Sequence, residues 1–170
     1  MPLRLDTPRL VASPARRDDA RALQACLDGA PDYFERLQGC RAEPDAAERL
    51  LDEAEADETR RLLLLTLRAN GTAAGLLDLD LARGGAGTAH VVLLLLREGL
   101  QGMGLGAELV RAAEERLRAD GLALVTLAVC DENPGAREFW ERMGYETSVR
   151  VDGGVTLLEK RLDPLHARAG

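Results

Sequence analysis

Lysine is almost missing from this chain of 170 residues: Lys160 is the only one, and arginine supplies the other basic side chains. The imbalance is a compositional bias and carries no function of its own. Aromatic residues make up only 3%, so a core must be built from Leu, Val and Ala. The cysteines are three, Cys26, Cys40 and Cys130. Their number is odd, and no pair has metal-binding or redox spacing. A reducing cytoplasm is the expected setting. His90 and His166 are the only histidines. With the cysteines scattered, no metal ligand set forms, and no metal is expected. An excess of positive charge is also lacking. The net charge is −7, which argues against a nucleic-acid partner, because phosphate-backbone binders need a basic face. The acidic surplus agrees weakly with a cationic substrate and mainly favours solubility. Long apolar runs are missing too. The longest, Leu62–Leu65 and Val91–Leu96, fall far short of the ~20 residues that a membrane span requires. The opening Met1-Pro2-Leu3-Arg4-Leu5-Asp6 has no signal-peptide pattern. No membrane partner is expected.

Apolar residues at 46% and charged residues at 30% have the balance of a soluble globular protein. The length suits one domain with a full core. Leu10-Val11-Ala12 reads as a first strand. Ala22, Leu23, Cys26 and Leu27 recur at helical spacing behind Asp18-Asp19, and Gly29 and Pro31 end that helix. Tyr33, Phe34 and Leu37 make a short second helical piece. Ala46, Leu50, Leu51 and Ala54 mark a third behind Pro44-Asp45. Strands follow over 62–67 and 74–81, joined through the hairpin signal Asn70-Gly71. Asp78 and Asp80 alternate with Leu77, Leu79 and Leu81, which predicts a solvated sheet face. The unbroken run of the next strand, His90–Leu96, predicts burial on both faces. A helix over 107–119, a strand over 122–129, a helix over 134–143 and a closing hairpin over 145–160 complete the chain.

Between the third of these strands and the 107–119 helix lies Gln101-Gly102-Met103-Gly104-Leu105-Gly106. A strand, a glycine-rich loop and a helix make a ready anion site. The first helical N–H groups have no intrahelical partner, the helix dipole is positive there, and glycines admit close backbone approach. A diphosphate could be held by backbone alone. A dinucleotide fold would place such a loop after the first strand of its domain, whereas here it follows an antiparallel hairpin. A nucleotide phosphate loop needs Gly-Lys-Ser/Thr, which the chain lacks. A glycine-rich turn with no ligand is the remaining alternative.

The wider context resembles a known family. Gln101-x-x-Gly104-x-Gly106 after an apolar strand is similar to the signature loop of the GNAT superfamily of acetyl-CoA-dependent N-acetyltransferases. The downstream run Asn133-Pro134-Gly135-Ala136-Arg137-Glu138-Phe139-Trp140-Glu141-Arg142-Met143-Gly144-Tyr145 resembles its second signature, and Asp6-Thr7-Pro8-Arg9-Leu10 its usual opening. The resemblance covers nearly the whole chain and is weakest over 29–58. It implies a mixed α/β fold: a twisted, mostly antiparallel sheet of about seven strands with helices on both faces. It also implies a single acetyltransferase-like domain over 1–170, with variable acceptor-side helices at 29–58 and a tail at 163–170. The implied reaction is acetyl transfer from acetyl-CoA to a primary amine, on a small molecule or a protein or peptide N-terminus. Dimers are common in that family, so a homodimer fits the resemblance.

By the same resemblance, backbone groups of Leu94, Leu95 and Leu96 would hold pantetheine. The diphosphate would sit on the amides of Gly102, Met103, Gly104, Leu105, Gly106 and Ala107, with Gln101 opening the loop. Asn133 matches an asparagine that bonds the pantetheine arm; as a residue before Pro134 it also reads as a helix N-cap. Two positions depart from the pattern. Many members carry a tyrosine acid where this chain has Trp140, and some a glutamate base where it has Ala128. An indole donates a hydrogen bond but is no acid. His90, at the head of the strand leading to the loop, becomes the candidate base, with the right intrinsic pKa. Its alternative reading is a surface histidine at a strand end. Asp78, Asp80 and Glu132 are weaker candidates, and His166 lies in the tail. Tyr145 is expected in the core. Tyr33 and Phe34 are candidates to line the acceptor pocket. The main rival is a GNAT-fold module that binds acyl-CoA without transfer. A second rival is a nucleotide-binding protein without CoA chemistry.

Overall fold

The structure, a computed structural model, describes residues 2–163. Of the expected 163–170 tail, residues 164–170, including His166, lie outside the described residues. The chain runs β1 (Leu5–Asp6), β2 (Leu10–Pro14), α1 (Ala20–Asp28), α2 (Pro31–Gln38), α3 (Ala46–Ala56), β3 (Arg60–Leu67), β4 (Ala73–Asp80) and β5 (Thr88–Leu96). It continues with α4 (Leu105–Ala119), β6 (Leu124–Cys130), α5 (Pro134–Arg142), β7 (Glu146–Val151) and β8 (Val155–Arg161). The strands form one sheet of eight in the order β1-β2-β3-β4-β5-β6-β8-β7. Only β5 and β6 are parallel. The sequence leads to about seven strands. The additional short one is β1, two residues that exist as a strand only because they fold back on β2 through Thr7-Pro8-Arg9, pairing Leu5 with Ala12.

The aliphatic runs sort onto two faces because successive strand residues point to opposite sides. Leu63 and Leu65 of β3 pack with Leu77 and Leu79 of β4 and with Leu105 and Leu109 of α4. Leu62, Leu64 and Leu76 pack on the other side, against Leu23 and Leu27 of α1 and Leu51 of α3. A third cluster joins Ala89, Val125, Leu127 and Leu158 of the sheet to Val110 and Leu117 of α4 and Trp140 of α5. Helices α1 and α3 therefore cover one face, and α4 and α5 the other. Gly75 sits where β4 and β5 approach closely: a Cβ there would overlap the Leu95 carbonyl oxygen.

Two expectations change. Asp78 does not face solvent. Leu77 and Leu79 point toward α4, so Asp78 between them points toward the side that α1 and α3 cover, and it is fully buried. Arg60 meets it with both arms, Nε donating to Oδ1 at 3.0 Å and Nη2 to Oδ2. Burial pushes the Asp78 carboxyl up and the Arg60 guanidinium opposes that shift, while Asp78 in turn holds Arg60 more firmly protonated. Asp80 caps the turn after β4, accepting from the backbone N–H groups of Ala82 and Arg83 at 3.0 Å each. The second change concerns Val91–Leu96. Only Leu95 of this run is buried; the others are half-buried, because β5 loses its neighbour partway along.

Breaking the buried pair from one side should cost much more than removing it whole. Arg60→Met should lower unfolding stability by about 3–5 kcal/mol, and adding Asp78→Leu should restore most of it. Urea denaturation of the three proteins measures both steps.

Candidate functional site

Strands β5 and β6 run together through four parallel pairs, ending at Val91 with Leu127. Beyond that point they part. β5 continues to Leu96 on β4, with Leu94 opposite Leu77 and Leu96 opposite Gly75. β6 continues to Cys130 on β8, with Ala128 opposite Leu157. A β-bulge at Val92, where the register on β4 shifts between Asp78 and Leu79, bends β5 at the fork. The backbone edges of the two strands that face each other past the fork have no ladder partner. A cleft of about 790 Å³ opens between them.

The loop closes one end of this cleft. Gln101 Nε2 donates to the Leu96 carbonyl at 2.9 Å, strapping the loop to the strand end. Gly102 and Gly104 adopt φ +74° and +81°, the left-handed region that side chains avoid. Gly104 is the N-cap of α4, which starts at Leu105. The amides of Gly102, Met103 and Gly104 donate to no backbone carbonyl among the described residues, and those of residues 105–107 are the first in the helix. The loop therefore presents a row of free N–H groups at the positive end of a helix of 15 residues.

The remaining expected residues divide. Leu94, Leu95, Leu96, Gln101, Gly102, Gly104, Leu105, Gly106, Ala107 and Asn133 all line the cleft. Met103 does not, and is 54% exposed. Asn133 caps α5, its Oδ1 accepting from the Ala136 N–H at 3.3 Å. Tyr33 lines the cleft, and burial pushes its hydroxyl pKa up. Phe34 does not line it; one position on around α2, it turns into the core and meets the Tyr33 ring edge-on at 5.1 Å.

His90 lies outside the cleft lining. It belongs to the strand pair just before the last one, opposite Thr126. Ala89 and Val91 pack toward α4, so His90 faces the α1–α3 side with Asp78. It is buried, and its Nδ1 lies 2.8 Å from Thr126 Oγ1. Burial, with the nearby Arg83 charge, lowers its pKa below 6.5 against the pull of Asp80.

Trp140 and Ala128 line the cleft and bring no acid or base. Trp140 stacks edge-on between Phe139 and Tyr145, both at 5.0 Å. Tyr145 is buried in the same cluster. Five lining residues with polar or charged groups carry no signal in the sequence pattern: Asp32, Arg36, Arg111, Cys130 and Arg142. Each reaches the cleft through the packing of its element, which no local motif records. Among the described residues no helix is long and apolar enough to cross a membrane.

Comparison with known proteins agrees with this architecture. A family model described as acetyltransferase (GNAT) family matches residues 23–145. No curated protein matches the chain. An acetyltransferase from Thermus thermophilus is 30% identical, with 94% of this chain and 100% of that one covered and a TM-score of 0.80. The PaiA N-acetyltransferase from Thermoplasma acidophilum, solved in complex with coenzyme A, shares the fold at 19% identity, with 89% and 98% covered and a TM-score of 0.70. The spermidine N-acetyltransferase from Vibrio cholerae, solved with CoA and spermine, shares it at 18% identity, with 90% and 95% covered and a TM-score of 0.71. The chain belongs to the acetyltransferase (GNAT) family and is an acyltransferase.

Proposed function

We propose that this chain transfers the acetyl group of acetyl-CoA to a primary amine, on a small molecule or at a protein or peptide N-terminus. The observation that carries this reading is the fork after Val91 and Leu127 with the glycine loop at its mouth. An extended arm ending in a thioester fits between two strand edges with unsatisfied backbone groups. A diphosphate fits the free amides from Gly102 to Ala107. Arg111 and Arg142 add positive charge to the lining, which suits a polyanionic nucleotide. The solved relatives that carry CoA support the same reading. The unpaired Cys26, Cys40 and Cys130 support a reducing cytoplasm as its setting.

In the reaction the amine, arriving as an ammonium, first gives up one proton; its nitrogen then bonds to the thioester carbon, the carbon–sulfur bond breaks with its electron pair leaving as the CoA thiolate, and a second proton passes from the nitrogen to the thiolate. A free backbone N–H of β5 past the fork is a donor for the oxygen that gains charge. The acceptor enters beside α2, whose Asp32 and Tyr33 line the cleft; a carboxylate there favours a cation. We assign the first proton to His90, through water. The tautomer with its proton on Nδ1 donates to Thr126 Oγ1 and leaves Nε2 as the accepting atom. Its lowered pKa keeps it neutral at physiological pH.

A thiol-release assay with acetyl-CoA and a panel of amines should show turnover. Binding without turnover on any primary amine would sink the reading, as would preferential calorimetric binding of ATP or NAD. Gly104→Val should weaken acetyl-CoA more than about tenfold, because a β-branched side chain resists the left-handed backbone there; wild-type affinity would remove the loop from the site. His90→Gln should cut kcat by about 10²-fold or more with little change in acetyl-CoA affinity. In the wild type, kcat/KM, which already declines toward acid as the amine protonates, should fall more steeply below the ordinary histidine range, since acid protonates the base. That steeper limb should vanish in the variant, and its persistence would exclude His90.

A further inference from the structure

The loop that presents the free amides is held from outside by a residue far away in sequence. Glu108, in the first turn of α4, receives three hydrogen bonds from the β1–β2 turn. Thr7 Oγ1 donates to its Oε1 at 2.5 Å, the Arg9 backbone N–H to Oε1 at 2.8 Å, and Arg9 Nε to Oε2 at 2.8 Å. The same guanidinium reaches the loop itself, its Nη1 donating to the Met103 carbonyl at 2.9 Å. Its Nη2 lies 3.3 Å from the point that a Cβ on Gly104 would occupy.

Two physical consequences follow. A carboxylate in the first turn of a helix uses part of the positive end of the dipole. Glu108 is such a carboxylate, with its side chain 15% exposed. Burial works against its ionisation, but the bonds from Thr7 and Arg9 and the guanidinium charge outweigh this and hold it ionised, below its usual range. Left alone, it would oppose a diphosphate on the neighbouring amides. Arg9 cancels that charge. The second consequence is geometric. The carbonyl of Met103 and the N–H of Gly104 belong to one planar trans peptide and point in opposite directions. Fixing the carbonyl on Arg9 turns the Gly104 N–H the other way.

We propose that Arg9 is a positioning residue of the diphosphate cradle: it neutralises Glu108 and fixes the Met103–Gly104 peptide with its amide free for the ligand. The proposal rests on the CoA reading above. It gives a role to the β1–β2 turn, which touches the loop from outside the cleft lining.

The test compares CoA with S-acetylpantetheine, which has no diphosphate, by NMR titration of the wild type, Arg9→Ala, Arg9→Lys and Arg9→Ala with Glu108→Gln. A preference for CoA that drops about tenfold in Arg9→Ala is the expected result, the size of one charge-assisted interaction. The drop should be partial in Arg9→Lys, which keeps the charge but not the fork of donors. Removing the Glu108 charge should recover part of the preference in the double variant. The downfield shift of the Gly104 amide on CoA binding should shrink in Arg9→Ala. A wild type that binds CoA, with the same preference and the same Gly104 shift in Arg9→Ala, would overturn this inference alone. Equal weakening of both ligands would reduce Arg9 to a structural tie and overturn it too. A wild type that does not bind CoA would overturn both this inference and the reading beneath it.

Discussion

Everything about the site depends on the parting of β5 and β6. Two parallel strands that stayed paired to their ends would leave no cleft, no free backbone edge and no reason for the loop to sit where it does. The separation is tolerated because each strand keeps its other neighbour, β4 for β5 and β8 for β6. The closed end is clamped by Ala89, Val125 and Leu127 in one core cluster. At the open end, the half-buried Val92–Leu94 and Leu96 show that core packing does not close the gap. Free backbone groups in a cleft are costly unless something meets them. Under the proposed function the ligand meets those free groups.

The two faces of the sheet carry different work. The α4 face holds the loop, the helix terminus and the bulk of the aliphatic core. The α1–α3 face carries a polar row across four adjacent strands: Arg60, Asp78 with Asp80, His90 and Thr126. Such a row on a largely covered face persists because its members satisfy one another, Arg60 on Asp78, Thr59 on Asp80 and Thr126 with His90. His90 sits in that row one pair before the fork, which explains both its burial and its lowered pKa.

What the sequence disclosed depended on how local the signal was. The loop at Gln101–Gly106 was legible because left-handed turns need glycine at fixed positions, and φ at Gly102 and Gly104 has the required sign. Asn133-Pro134 was legible as a cap for the same reason of local chemistry. The burial of Asp78 was not legible. Alternation with leucine says which residues share a face, but only the packing of α1 and α3 says which face is covered. The two residues of β1 had too little pattern to announce a strand. Tyr33 and Phe34, adjacent on a helix, both pack against the same core cluster, but only Tyr33 also lines the cleft, and neither side chain alone tells which way it turns. Arg9 was invisible as a site residue because its partners, Met103 and Glu108, lie about a hundred residues on.

The missing acid and base at Trp140 and Ala128 weigh unequally, and magnitudes decide between them. A thiol has a pKa near ~8.5, so a thiolate is a tolerable leaving group near neutral pH and needs little help. An aliphatic amine with a pKa near ~10.4 arrives protonated and cannot attack until it loses that proton. Loss of a tyrosine acid is therefore the smaller defect. The indole in its place stacks against Phe139 and Tyr145 and fixes α5, whose head carries the Asn133 cap. Loss of a glutamate base is the larger defect, and Ala128 offers nothing in return. On the proposed reading the proton is accepted elsewhere, by a group that is neutral at working pH and near the fork on the face opposite α4. His90 meets each of these conditions, and a water path of the kind proposed here would span the one strand pair that separates it from the cleft.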